Sequence, residues 1–294
     1  MGEVKGLRQF SYGATNWELT PEIRKRADDY MALHQIRPVT SETLFQGAMF
    51  SVLAARQDYP MHVSTYAMLL AEGFGDPRKL WTDRHSLALR SCLSKLNGPN
   101  QKRQRLVMLA GWWMRSEMPD MIVEDCNDGK KKEFELGDKF AETAPGIWYK
   151  GQRMLWGHIG YMHGVPIDTW MVKFLRYLGH KEFKQPNYRT TSGPRPDQYA
   201  LGERIIAEHG AKNGLSPYMT QVCLWVAATG WTPAQFIDPS VFLSARQQRF
   251  WSWDELQRQL PNGRIPTLAF GNQKKNRTPK VPDLEARCGP SLFE

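Results

Sequence analysis

Two residues of complementary chemistry stand eighteen positions apart in one glycine-punctuated stretch, Lys150 and Asp168. The stretch opens Ala144-Pro145-Gly146-Ile147-Trp148-Tyr149-Lys150-Gly151 and runs on as an apolar helix to about Tyr161. It continues Gly164-Val165-Pro166-Ile167-Asp168-Thr169-Trp170 into another helix. Pro145-Gly146 reads as a tight turn, which puts Lys150 in the first turn of one helix and Asp168 at the start of the next. An exposed lysine is almost fully protonated at pH 7, but burial beside a positive helix N-terminus lowers its pKa and frees a nucleophilic amine. A carboxylate opposite it can stabilise developing positive charge or move a proton. Both residues also have plain readings: Lys150 as a solvated surface lysine, and Asp168 as an N-cap contributing about 1 kcal/mol. Spacing alone favours the plain readings.

The elements that must position this pair are helical. Residues 20–36 begin with Thr20-Pro21-Glu22, an N-cap followed by proline at the first helical position. Thr40-Ser41-Glu42-Thr43 offers capping groups to a buried helix running to Arg56, and a third helix from about Met61 to Glu72 stops at Gly73 and Gly75. Leu106, Leu109, Ala110 and Trp113 share one helical face, as do Met171, Phe174, Leu175 and Leu178. Sustained strand alternation is missing, so the expected class is all-α. Residues 119–139, with Asn127-Asp128-Gly129 and Lys130–Lys132, read as a polar excursion, and residues 180–198 as a Pro- and Ser-rich loop. From about Pro261 a basic tail carries Lys274, Lys275, Arg277 and Lys280, either an arm on a polyanion or a solvated end.

Composition narrows the partners. The 294 residues allow one large domain or two small ones, and 41% hydrophobic against 23% charged residues argues against wholesale disorder. A formal net charge of +9 favours a polyanionic partner, nucleic acid first. Cys92, Cys126, Cys223 and Cys288 lie far apart with no CxxC, so neighbouring thiols build neither a zinc ribbon nor an iron–sulfur loop. His62, His85, His163, His180 and His209 lack metal-ligand spacing, and no metal or cofactor is expected. The apolar runs fall short of the ~18 residues a transmembrane helix needs, so no membrane partner is expected.

The central stretch resembles the helix-hairpin-helix signature of the DNA base-excision glycosylases, Leu-Pro-Gly-Val-Gly-x-Lys, an apolar helix, then Val-Asp-Thr-His-Val. Pro145, Gly146, Lys150, Asp168 and Thr169 match it in order and separation. Upstream, Phe50-Ser51-Val52-Leu53-Ala54-Ala55-Arg56-Gln57 resembles the family's Leu-Leu-Ser-x-Gln helix, and Leu96-Asn97-Gly98 through Lys102 to Leu106 its Gly-x-x-x-Lys-Ala segment. The likeness covers about residues 40–180. It implies a two-lobed helical fold with a DNA cleft between the lobes, and an enzyme that flips a modified or oxidised base out of the duplex. On the family pattern Lys150 is the nucleophile that forms a Schiff base, giving abasic-site lyase activity as well as glycosylase activity, and Asp168 its electrostatic partner.

The departures are specific. The hairpin's second glycine is Trp148 here, the residue after Asp-Thr is Trp170 rather than histidine, and the iron–sulfur cysteines of the endonuclease III branch are absent. Glycine at the hairpin permits close approach of a phosphate to backbone N–H groups. A tryptophan there either blocks that contact or turns its indole toward a base or a modified substituent.

Further residues are candidate DNA contacts. They are Gly146, Gly151, Trp148 and Tyr149 at the hairpin, Gln57 as filler of the vacated base position, and Lys102 as a phosphate contact in the basic turn with Arg103 and Arg105. Gln57 fits a plain polar helix end equally well, and Lys102 a solvated face. Trp112 and Trp113 read as core. The expected division is 1–39 as an N-terminal helix packing with the C-terminal lobe, 40–165 as the lobe ending in the hairpin, 166–260 as a second lobe, and 261–294 as the tail. The partner is double-stranded DNA and the protein a monomer, cytoplasmic, with the nucleoid or the host cytoplasm as its place. Two other readings use the same scaffold: a phage-type transferase that loads an amino acid or polyamine onto hydroxymethylated thymine, and a non-catalytic DNA-binding module. Retention of Lys150 argues for cleavage, since neither alternative requires it.

Overall fold

Proline and side-chain caps start most of the helices. The computed structural model describes residues 19–54, 59–129, 133–183, 194 and 196–229, and all of its regular structure is helical. Gln57, Lys130–Lys132 and the tail from Pro261 lie outside the described residues. Helix α1 (Pro21–His34) is capped by Thr20, whose hydroxyl accepts the Ile23 N–H. Helix α2 (Ser41–Leu53) has a reciprocal capping box between Thr40 and Thr43. Then follow α3 (Tyr59–Ala71), α4 (Pro77–Thr82), α5 (Leu87–Leu93), α6 (Pro99–Trp113), α7 (Met118–Asp128) and α8 (Glu133–Thr143). The last four are α9 (Tyr149–His158), α10 (Thr169–Tyr177), α11 (Pro196–Ala211) and α12 (Pro217–Thr229).

The expected polar excursion at 119–139 is corrected: its described residues form α7 and most of α8. Ile122 of α7 and Leu136 and Phe140 of α8 reach the core from otherwise charged helices. A stripe this narrow is easily outweighed by the acidic and lysine residues around it, yet each such buried side chain contributes about 1.5–3 kcal/mol. Gly129, at φ 66°, closes α7 in the left-handed conformation. Tyr161 donates to the buried Asp125 of α7, tying that helix to the segment just past α9.

Apolar side chains gather in two clusters, which are the two lobes. One holds Leu44 and Phe45 of α2, Leu80, Leu89, Leu106, Leu109, Phe140 and Trp156. The other joins Ile23 and Ala27 of α1 to Phe174, Ile206, Val222 and Leu224, with α1 packed on α12. Helices α2 and α9 serve both: Met49 and Leu155 enter the first cluster, while Phe50 and Met154 enter the second. The seam between the clusters therefore runs along the packed pair of α2 and α9, the latter being the helix that follows the hairpin.

Candidate active site

The hairpin turn is shaped by Gly146 and by what lies under it. Its φ is 79°, and a Cβ there would sit 2.9 Å from Cβ of Arg105, so α6 closes tightly beneath the turn. Ile147 is buried and anchors the turn to the first lobe. Trp148, the N-cap of α9, makes no side-chain cap bond, and its indole is 73% exposed. Tyr149 turns inward, its ring 5.7 Å from that of Tyr199, with the Arg153 guanidinium 5.9 Å from its centroid. Gly151 faces α2, where a Cβ would meet Ser51 at ordinary contact distance.

Lys150 is half-buried in the first turn of α9, and among the described residues no side chain or carbonyl bonds its ammonium. Asp168 is the N-cap of α10. Its Oδ1 accepts the Trp170 N–H at 2.8 Å and the Met171 N–H at 2.9 Å, and Oδ2 has no partner among the described residues. The plain N-cap reading of Asp168 is therefore correct, and it leaves one carboxylate oxygen uncommitted.

One buried cluster that sequence reasoning missed feels the charges of Lys150 and Asp168. His62 of α3 donates from Nε2 to the Phe50 carbonyl at 2.7 Å, and its ring lies 3.9 Å from that of Phe50. His34 of α1 stacks on His158 of α9 at 5.2 Å, and His158 hydrogen-bonds the Tyr30 hydroxyl at 3.1 Å. Burial pushes His62 down to about 3 against the Phe50 bond, and the positive charges of Lys102 and Lys150 add to the depression. Burial likewise takes His158 to about 3 and His34 well below its ordinary value. Burial also holds the Tyr30 phenol protonated, with Asp168 among the charges that raise it. Lys150 thus reaches the cluster through His62 and Asp168 through Tyr30. No local signal links α1, α2, α3 and α9, so no motif exposes the cluster.

Lys102 is corrected. It is buried, and its ammonium donates to the carbonyls of Val52 at 3.1 Å and Leu53 at 2.6 Å, closing the C-terminus of α2. It faces the core, not a phosphate. The signal was present: Lys102 shares the helical stripe of Leu106, Leu109 and Trp113. Arg103 and Arg105 of the same turn are half-buried, and Trp113 is core as expected. Among the described residues no cluster of histidine, cysteine and carboxylate side chains could hold a metal, and Cys92, Cys126 and Cys223 are free thiols. No helix among them is long and apolar enough to cross a membrane.

No family model matches the chain, and no curated protein does. Solved structures do. The 8-oxoguanine DNA glycosylase of Methanocaldococcus jannaschii superposes with a TM-score of 0.55 at 17% identity, over 72% of this chain and 88% of that one. The 8-oxoguanine DNA glycosylase of Thermotoga maritima gives 0.53 at 18% identity, over 72% and 91%. The M. jannaschii 8-oxoguanine glycosylase/lyase bound to a 15mer DNA containing 8-oxoguanine gives 0.51 at 15%, over 72% and 91%. With its Pro-Gly hairpin, the following helix and the capping aspartate in order, this chain shares the helical fold of these 8-oxoguanine DNA glycosylase structures.

Proposed function

We propose that the protein is a monomeric DNA glycosylase with abasic-site lyase activity, acting on a modified or oxidised base in duplex DNA. The observation that carries the reading is the pair on the hairpin helix and the next N-cap: among the described residues, the Lys150 ammonium has no bonded partner and Asp168 has one free oxygen. On this fold the target nucleotide is flipped from the stack. The Lys150 amine, having lost its proton, bonds the anomeric carbon while the sugar–base bond breaks. That bonding pair leaves with the base, which takes up a proton. Asp168 stabilises the positive charge that builds on the sugar. Ring opening leaves an imine, loss of the neighbouring sugar proton expels the 3′ phosphate, and the strand is nicked. The substrates named for the superposed structures support including 8-oxoguanine among the bases tested.

The test is borohydride trapping with wild type and Lys150→Gln on duplexes holding an abasic site, 8-oxoguanine, oxidised pyrimidines, or hydroxymethylated and adducted thymine. The expected result is a reduced covalent adduct in wild type that is absent in Lys150→Gln, strongest on the true substrate. Binding without trapping on every duplex removes the lyase reading. Mass analysis of the same DNA then separates base loss from base gain, the latter pointing to a transferase.

A further inference from the structure

The segment joining the two candidate catalytic elements, 159–168, has no regular structure, yet Val165, Pro166 and Ile167 are buried. Buried backbone groups need partners. Here they come from one face of α11. The Tyr199 hydroxyl donates to the Val165 carbonyl at 2.9 Å and accepts the Ile167 N–H at 2.8 Å. One turn on, Glu203 Oε1 accepts the Val165 N–H at 2.8 Å. The same carboxylate takes the Arg153 guanidinium as a fork, Nε to Oε1 at 2.9 Å and Nη2 to Oε2 at 3.3 Å. Arg153 lies three residues after Lys150, one turn along α9, and its Nη1 also pairs with Asp138 of α8 at 3.0 Å. The Tyr199 ring sits against Tyr149, the residue before Lys150.

From this geometry we infer that Tyr199 and Glu203 are positioning residues, which hold Asp168 in register with Lys150 by gripping both elements from α11. The inference rests on the lyase reading above. Neither residue touches substrate or carries a proton in the reaction. They fix the approach to Asp168 through Val165 and Ile167, and the pose of the Lys150 helix through Arg153 and Tyr149. Core packing alone does not require this arrangement: the Tyr199 ring fills its space with or without the oxygen, whereas the bonds to the Val165 carbonyl and the Ile167 N–H need it. Displacements of about 1 Å at a reacting pair cost on the order of 100-fold in rate.

The experiment is single-turnover adduct formation on an abasic-site duplex at saturating protein, with DNA affinity measured separately by titration. Tyr199→Phe keeps the ring and removes the hydroxyl. Glu203→Gln keeps an oxygen for Val165 and weakens the grip on Arg153, and it is the milder variant if Tyr199→Phe folds poorly. Arg204→Ala, exposed on α11, is the control. Expected is a fall of at least about 10-fold in the rate at saturation for both variants, with affinity within about twofold of wild type and the control unchanged. Rates within twofold of wild type overturn the inference, and so do rate, affinity and thermal stability falling together, which marks a purely structural role. A wild type that traps nothing removes the lyase reading and this role together, whereas trapping by wild type with unaltered variants removes the role alone.

Discussion

At the scale of single residues, one substitution separates the observed capping role of Asp168 from the electrostatic role proposed for it. Asn caps a helix about as well as Asp, so Asp168→Asn leaves the two bonds to Trp170 and Met171 in place while removing the charge. Thermal stability is expected to stay within about 0.5 kcal/mol of wild type, while the single-turnover rate falls by about 100-fold or more. Equal losses in stability and rate would make the carboxylate a cap and nothing else. Trp148 poses a different question, because an indole that is 73% exposed contributes little to the fold. Trp148→Ala should leave the urea midpoint unchanged and weaken duplex binding by about 1–3 kcal/mol, the range for an aromatic stacked on a base. Unaltered affinity in a titration would show that the indole meets no DNA.

At the scale of elements, the histidine cluster makes the packing of α1, α2, α3 and α9 dependent on pH. His62 and His158 are neutral in the folded protein, with burial placing both near 3, while in the unfolded chain they titrate near 6.5. Their depressed values mean that the stability they permit is fully present above pH 6.5 and is lost as pH falls from there toward 3. Each withdraws about 1.4 kcal/mol per pH unit over that range, or about 3 kcal/mol for the two at pH 5.5. Urea midpoints at pH 7.5 and pH 5.5 check this, and a midpoint that holds or rises on acidification would contradict it.

The same elements show what a sequence displays and what it hides. The hairpin was readable because a Pro-Gly turn, a lysine in the first helical turn and a capping aspartate are local features. Helices α7 and α8 were not, because their apolar stripes are narrow. The Arg153–Glu203 pair spans fifty residues and the His34–His158 stack more than a hundred, distances over which helical periodicity says nothing.

At the scale of the molecule, α1 shares its core with α10–α12, while most core residues of α2 to α8, with Leu155 and Trp156 of α9, fill the other lobe. The second lobe is thus built from both flanks of the chain and the first from the stretch between them. During synthesis the first lobe can complete its core as soon as α9 has left the ribosome. Helix α1, made earliest, must wait for α12, nearly two hundred residues later. Until then the core around Ile23, Ala27 and Tyr30 lacks Val222, Leu224 and Val226. A chain stalled before α12 therefore holds a finished hairpin and first lobe, with α1 still lacking the helix on which it packs.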